Sequence, residues 1–474
     1  MDNLARFLLD HDKDKLALVD SDKKMTYGEV TRATKRFAGL LRERGISSGD
    51  RVAIVMADRC EWIIAFLAMV SFRCVPVLIS PMQTDQNKKR MLEDCECSAV
   101  ITDGSIEVPA DTICFTTQSI MNGSDPIDID DKIEGEVGIL TTTSGTSGYG
   151  QSFLVHRYQT FFNMIDLHGA MNPTDENSVV FSSAKLSFHF GLMNASICLA
   201  NGGTFVMTEH VPDRNLVKRL CRDHKITHMF TTPRILAGMI KTDKPDDSLN
   251  SIQWLLCSGE PLPLSVEAKF KELYGITVMN GLGQGEIIGW TACSTPEHHK
   301  FGTLGKAALK SKVEVRREDG TICDANEVGE IWIKNNTTAI GYWKGEERNK
   351  TTFIDGWVRS NDMVYVDEEG YFHFVCRKDD YVKVNAQFAN PIEIEQIIEE
   401  HDSVIESVVT SRLATNGLVE LSAKIVSDAD LTARDMRRFL KNRVEPHKIP
   451  KNIEFVDSIP KTVTLKKIRN RRYK

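Results

Sequence analysis

Short apolar segments that alternate with helical stretches limit this chain to a few architectures. Residues 51–57 (RVAIVMA), 74–80, 98–102, 137–142, 226–231 and 252–257 each form a brief run too apolar to be a strand with a wet face. Longer amphipathic or apolar stretches separate them. Strands apolar on both sides belong in sheets covered by helices on both faces, and such spacing suits parallel crossovers. The first helix is announced by Thr26-Tyr27-Gly28-Glu29, a capping-box pattern, followed by Val30, Phe37, Leu40 and Leu41 at helical spacing and by Gly45. The run 62–70 is too short to span a bilayer and reads as a buried helix.

The pattern changes near residue 300. Glycine turns and short alternating segments from 302 to 374 predict a β-rich subdomain. Beyond 380, a helix start at 391–400, two segments flanking Asn416-Gly417 and a helix over 432–441 predict a compact α+β unit. The expected fold is α/β: a large N-terminal domain over 1–376, a hinge over 377–380 and a small mobile C-terminal domain over 381–474. A chain of 474 residues exceeds what one core organises.

The net charge of -7 argues against general nucleic-acid binding. The start of the chain lacks the basic and apolar stretches of a secretory leader. The 11 cysteines include no C-x-x-C pair, which suits buried reduced thiols rather than a metal site. A cytoplasmic enzyme without membrane or nucleic-acid partners is expected.

Five clusters carry possible chemistry. Thr141 to Gly150 is a hydroxyl- and glycine-rich loop after an apolar strand, able to present N–H and O–H groups to an anion. Without Gly-Lys-Ser/Thr it is no Walker loop, and a plain flexible turn is the rival reading. Gly281-Leu-Gly-Gln-Gly-Glu286 offers close backbone approach and a carboxylate for Mg²⁺; a glycine turn with a solvated glutamate is the rival. Gly356 to Asp362 places an acid where it can hold ribose hydroxyls, or merely face water. Arg377-Lys-Asp-Asp380 and the basic tail from Pro460 complete the series.

Together, in this order, these clusters resemble the acyl-adenylate-forming superfamily of acyl- and aryl-CoA synthetases, luciferases and peptide-synthetase adenylation domains. The resemblance runs from about Thr26 to Arg469. The stretch 181–194, with Ala184-Lys-Leu186 and Gly191-Leu192, and Cys257-Ser-Gly-Glu-Pro-Leu-Pro263 are similar to segments of benzoate-CoA ligases. The resemblance implies activation of a carboxylic acid, with an aryl acid favoured, by ATP and Mg²⁺. Transfer to a thiol follows, with CoA favoured over the phosphopantetheine arm of an acyl carrier protein. A non-catalytic nucleotide- or acyl-binding relative is the alternative of another class. The oligomeric state stays open, a homodimer included.

The same resemblance assigns residues. Thr143, Ser144, Gly145, Thr146, Ser147 and Gly148 would hold the outer phosphates, and Glu286 would ligate Mg²⁺. Ser258, Gly259, Glu260 and Pro261 would flank adenine, with Asn280, Gly281, Leu282, Gly283, Gln284 and Gly285 lining the adenine and acyl sites. Asp362, supported by Arg377, would take the ribose; Lys466 would bridge acyl and phosphate oxygens; Asp379 would be the hinge. Lys185, His189, Phe190, Gly191 and Gly283 would form the acyl pocket. His189, a catalytic candidate with Lys466 and Glu286, would donate a hydrogen bond or narrow the pocket. Against the family's pattern, Gly150-Gln151 replaces Pro-Lys, Gly285 replaces threonine, Cys376 replaces glycine before Arg377, Ala386 replaces a glycine of the thiol tunnel, and Leu465 replaces the glycine before Lys466.

Overall fold

In the computed structural model the described residues are 3–108, 112–129, 137–143, 152–242, 246–378, 382–384, 387–414, 419–461 and 467. Two compact units are distinguished. The first comprises 1–143, 152–313 and 333–358; the second comprises 144–151, 314–332 and 359–474.

The first unit contains two large sheets. In one, Arg51–Val55 pairs in parallel with Val75–Leu78 and Ala99–Thr102, and Val137–Thr142 continues the sheet beside Val75–Leu78. The other carries Val179–Ser182, His228–Thr231, Trp254–Ser258 and Met279–Gln284 side by side in parallel. The expected parallel strands are present, with antiparallel additions that apolarity does not reveal. Phe153–Arg157 returns beside Val137–Thr142, and Gly289–Cys293 returns beside Met279–Gln284.

The capping box forms as the sequence suggests: Thr26 and Glu29 satisfy each other's backbone N–H groups at the start of helix Tyr27–Glu43. Helix Cys60–Ser71 is buried at every residue, as an all-round apolar sequence requires, and Trp62, Phe66 and Phe161 meet in the main core. Each such side chain contributes about 1.5–3 kcal/mol by leaving water. All 11 cysteines are free thiols, and Cys114 is the exposed one. No described helix is long and apolar enough to cross a membrane.

The second unit has the expected β-rich part, with Trp357–Val366 antiparallel to Phe372–Arg377. Its C-terminal part pairs Val404–Leu413 antiparallel to Val419–Ser427, packed by helices Pro391–Glu399 and Ala433–Leu440. Strand Asn452–Phe455, which the sequence reading did not anticipate, adds in parallel to Val419–Ser427. The Asn416-Gly417 turn lies outside the described residues.

Candidate active site

Parallel strands deliver their carboxyl ends to a common edge, and ligands of such sheets bind there. Thr142, Ser182, Thr231, Ser258 and Gln284 end strands of the first unit. The Ser258 hydroxyl donates to the Gly281 carbonyl at 2.7 Å, locking the adjacent strand ends. Asn280 Nδ2 donates to Thr303 O at 3.1 Å, so its side chain braces the floor of the site. Gly259, at φ 95°, lets the chain turn away after Ser258 and leaves open space where a side chain would project.

Trp290 lies opposite Gly283 on the returning strand. A Cβ at Gly281 would stand 2.9 Å from its ring, so hydrogen is the side chain that lets the indole lie against the strand. Phe190, half-buried in the first turn of helix His189–Ala200, meets Trp290 edge-on at 5.5 Å and Phe230 at 6.2 Å. These three rings make an aromatic wall in which Trp290 and Phe230 are buried in the main core and Phe190 is the partly exposed member, the ring a flat apolar ligand would meet. Trp290 Nε1, Gln284 Nε2 and Thr231 Oγ1 are buried with no hydrogen-bond partner among the described residues. Orphaned polar atoms at strand ends suit a ligand or water.

Beside the wall sits a histidine pair. His156 Nε2 and His189 Nε2 are 3.1 Å apart, and Thr141 Oγ1 touches both, 3.0 Å from His156. His156 Nδ1 is buried without a partner among the described residues. An unpaired acceptor costs less than an unpaired buried N–H. The network therefore assigns the His156 proton to Nε2 and the His189 proton to Nδ1. Burial holds His189 down to about 4, against the pull of Glu286; burial, then His189, holds His156 well below its usual value. Both rings are neutral at pH 7.

Glu286 lies in a single turn, Gly285–Ile287, tied by its carbonyl to Ala339 N–H at 2.8 Å. Its Oε1 accepts from the Tyr342 hydroxyl. Burial and then the Glu286 charge push the Tyr342 phenol far up, so it stays a donor. Among the described residues no group of three or more His, Cys, Asp or Glu side chains could hold a metal. One carboxylate does fit Mg²⁺, which commonly takes one or two protein carboxylates and completes its shell with phosphate oxygens and water.

Residues 8–343 match the AMP-binding enzyme family, and residues 393–466 match the AMP-binding enzyme C-terminal domain. The chain belongs to the AMP-binding enzymes. It is 27% identical to the 4-hydroxybenzoate–CoA/benzoate–CoA ligase of Rhodopseudomonas palustris, over 94% of this chain and 88% of that enzyme. It is 27% identical to the benzoate–CoA ligase of Thauera aromatica, over 98% and 93% of the two chains. The solved benzoate CoA ligase of Burkholderia xenovorans superposes with TM-score 0.87 at 26% identity, covering 98% of this chain and 99% of that one.

The structure gives several of the residues assigned by resemblance specific partners. The Lys185 amino group, assigned to the acyl pocket, donates to the carbonyls of Thr208 and His210 at 2.6 and 2.7 Å and lies 3.8 Å from buried Asp58. It braces a loop, because a buried ammonium needs acceptors and a counter-charge. Gly191 takes no part through a side chain; its Cβ would stand 2.3 Å from Lys185 O, so its bareness lets the helix start close to that loop. Thr143, at the edge of the phosphate-loop candidate, accepts through Oγ1 from Ser152 N–H at 3.2 Å. Glu260 and Pro261 are half-buried just beyond Ser258, and Leu282 is half-buried within its strand.

In the second unit Asp362 is buried, stands opposite Arg377 across two strands, and accepts from its Nε at 3.1 Å. The two side chains are therefore in direct contact. Ser144, Gly145, Thr146, Ser147, Gly148, Asp379 and Lys466 lie outside the described residues, as do Gln151, Ala386 and Leu465.

Sequence reasoning missed His156, Tyr342 and Trp290. The one signal for His156 was the apolar triplet Phe153-Leu154-Val155 just beyond the loop, which a returning strand would place beside 137–142. Tyr342 and Trp290 stand in no pattern that spacing alone distinguishes from core aromatics.

Proposed function

We propose that this AMP-binding enzyme is an acid–thiol ligase that activates an aryl carboxylic acid with ATP and transfers it to CoA. The observation that carries the reading is the aromatic wall of Phe190, Trp290 and Phe230 in the same unit as the Glu286 turn, in a chain similar over nearly its whole length to benzoate-CoA ligases.

In the first step a carboxylate oxygen attacks the α-phosphorus of ATP. The bond to the β-phosphate bridging oxygen breaks, and pyrophosphate leaves with that electron pair. Both reactants are anionic, so charge must be offset where they meet. Mg²⁺ held by Glu286 and phosphate oxygens would supply that offset. Neutral His189, oriented through Nε2, presents Nδ1–H as a donor that needs no desolvated charge. Asp362 steadied by Arg377 is the acceptor for ribose hydroxyls. Lys466 is assigned to the adenylation step and the segment 377–380, with Asp379, to the hinge between two uses of one site. In the second step the thiol sulfur attacks the acyl carbon and AMP leaves.

Incubation with benzoate or a hydroxybenzoate, Mg²⁺, ATP and CoA tests the whole sequence. Mass spectrometry should find AMP and the aroyl-CoA. Product appearing only when a phosphopantetheinylated carrier protein replaces CoA would overturn CoA as acceptor. No acid-dependent AMP across an aryl panel would overturn the ligase reading.

A further inference from the structure

Thr141, His156 and His189 meet as a closed triangle, and they do not share the same access to a ligand. Thr141 lies on strand Val137–Thr142, His156 on the returning strand Phe153–Arg157, and His189 opens helix His189–Ala200. Thr141 and His156 are fully buried, whereas His189 is half-buried. The Nδ1 edge of His189 lies beside Gly285, the residue before Glu286. Its Nε2 turns inward, 3.1 Å from His156 Nε2 and against Thr141 Oγ1, which is itself 3.0 Å from His156 Nε2.

The triangle has two ways to place its protons. In one, His156 carries its proton on Nε2, and that N–H and the Thr141 hydroxyl leave His189 Nε2 as a bare acceptor. In the other, His189 Nε2–H donates to Thr141 Oγ1, the Thr141 hydroxyl donates to His156 Nε2, and the His156 proton sits on Nδ1. That Nδ1 is buried without a partner among the described residues. A buried N–H with no acceptor costs more than an unused lone pair. The first arrangement is therefore favoured, and it puts the His189 proton on Nδ1, the edge beside Gly285. Thr141 alone would not decide this, because a hydroxyl donates or accepts equally well. The decision is made at the far nitrogen of His156.

We propose that His156 is a positioning residue for adenylation, fixing His189 in the Nδ1–H tautomer so that a donor rather than a lone pair faces the reacting groups. The inference rests on the adenylation reading above. The opposite tautomer would turn a lone pair toward two anionic reactants, where a fixed donor offsets charge as it develops. His156, fully buried, acts only through the ring of His189.

The native chain supplies the first readout. Nitrogen NMR of isotope-labelled histidine, with the His189 signals identified by their loss in His189→Gln, should show a proton on His189 Nδ1 and none on Nε2. A proton on Nε2 overturns the proposal. Thr141→Val should leave that tautomer in place, since His156 Nε2–H still faces His189 Nε2; a switch there would make Thr141 the determinant and overturn the assignment to His156. His156→Leu should release the tautomer and lower kcat for acid-dependent ATP–pyrophosphate exchange by roughly tenfold to hundredfold, the range for losing a fixed donor. KM for ATP and for the acid should change little, because the donor acts in the transition state. His156→Gln, which keeps an amide N–H near the place of Nε2, should recover most of the rate. In a His189→Ala background, His156→Leu should cost no further kcat. Equal losses in both backgrounds, or an unchanged kcat in His156→Leu, overturn the proposal. If His156→Leu does not fold, the tautomers of the native chain and of Thr141→Val decide. A native chain without acid-dependent exchange overturns the adenylation reading, a failure separate from that of the tautomer.

Discussion

The imidazole of His189 occupies the space that any side chain at Gly285 would need. A Cβ built on Gly285 would stand 2.8 Å from His189 Cε1 and 3.1 Å from its Nδ1. The bare position before Glu286 and the histidine are therefore one feature. The ring brings a nitrogen donor to the place from which a hydroxyl side chain at 285 would project.

The pair should behave as a coupled unit. Gly285→Thr alone forces the ring out of its bonds to Thr141 and His156 and should cost about 1–3 kcal/mol of stability by overpacking, with a large loss of activity. Adding His189→Ala should recover part of both, because the new side chain then meets only Leu154 Cδ1, at 2.8 Å the flexible end of an apolar side chain. Thermal melts and ATP–pyrophosphate exchange on the four chains of the cycle measure the coupling. Strict additivity would show that the contact has no consequence.

Tyr342→Phe removes the donor that holds Glu286 and leaves the ring under Arg348. With a charge-assisted hydrogen bond contributing about 1.5–3 kcal/mol, the Mg²⁺ concentration for half-maximal activity should shift by roughly tenfold or more. The direction depends on whether the bond orients the carboxylate or competes with the ion; positioning of an acceptor predicts a rise. An unchanged Mg²⁺ dependence would remove Glu286 from the metal site.

Trp290→Ala should open the aromatic wall beside Gly281 and Gly283. Truncating so large a buried side chain typically costs about 3–5 kcal/mol. Among acids that remain substrates, preference should move toward bulkier rings. Competition assays with benzoate and naphthoate read this shift, and an unaltered ratio would place the acyl pocket elsewhere.

Acid should weaken the fold through its buried histidines. His156 and His168 are fully buried; burial drives His168 down to about 3, and burial, then His189, drives His156 well below its usual value. Both are depressed below the unfolded value of about 6.5, so the unfolded chain takes up protons first as pH falls. Stability should decline from about pH 6.5 downward, by up to about 1.4 kcal/mol per pH unit for each such ring. Melting temperatures measured between pH 7 and pH 5 check the slope, and His168→Asn, if it folds, should flatten it.

The sequence made the parallel strands legible because burial on both faces leaves no polar alternation to confuse the reading, as at 51–55 and 254–258. Helix Cys60–Ser71 was legible for the same reason. What stayed hidden depends on contacts between distant segments. The Arg348–Ser152 contact and the Tyr342–Glu286 bond join residues with no shared local pattern. The direction of the Lys185 amino group, toward the Thr208 and His210 carbonyls, was not legible because similarity of sequence carries a residue's neighbourhood but not where its amino group points. Gly285 read as a lost hydroxyl, and only the fold reveals that His189 fills the gap. The Asp362–Arg377 pair was named through resemblance alone; the fold supplies its cause, two strands joined by a short turn that set these positions opposite each other.

Exchange of labelled pyrophosphate into ATP tests the central claim most directly, since it reports adenylation without any thiol. With Mg²⁺ and an aryl acid the native chain should incorporate label, Glu286→Gln should lose most of it, and omission of the acid should abolish it. Label incorporated equally without acid, or by no acid in an aryl and aliphatic panel, would contradict the account.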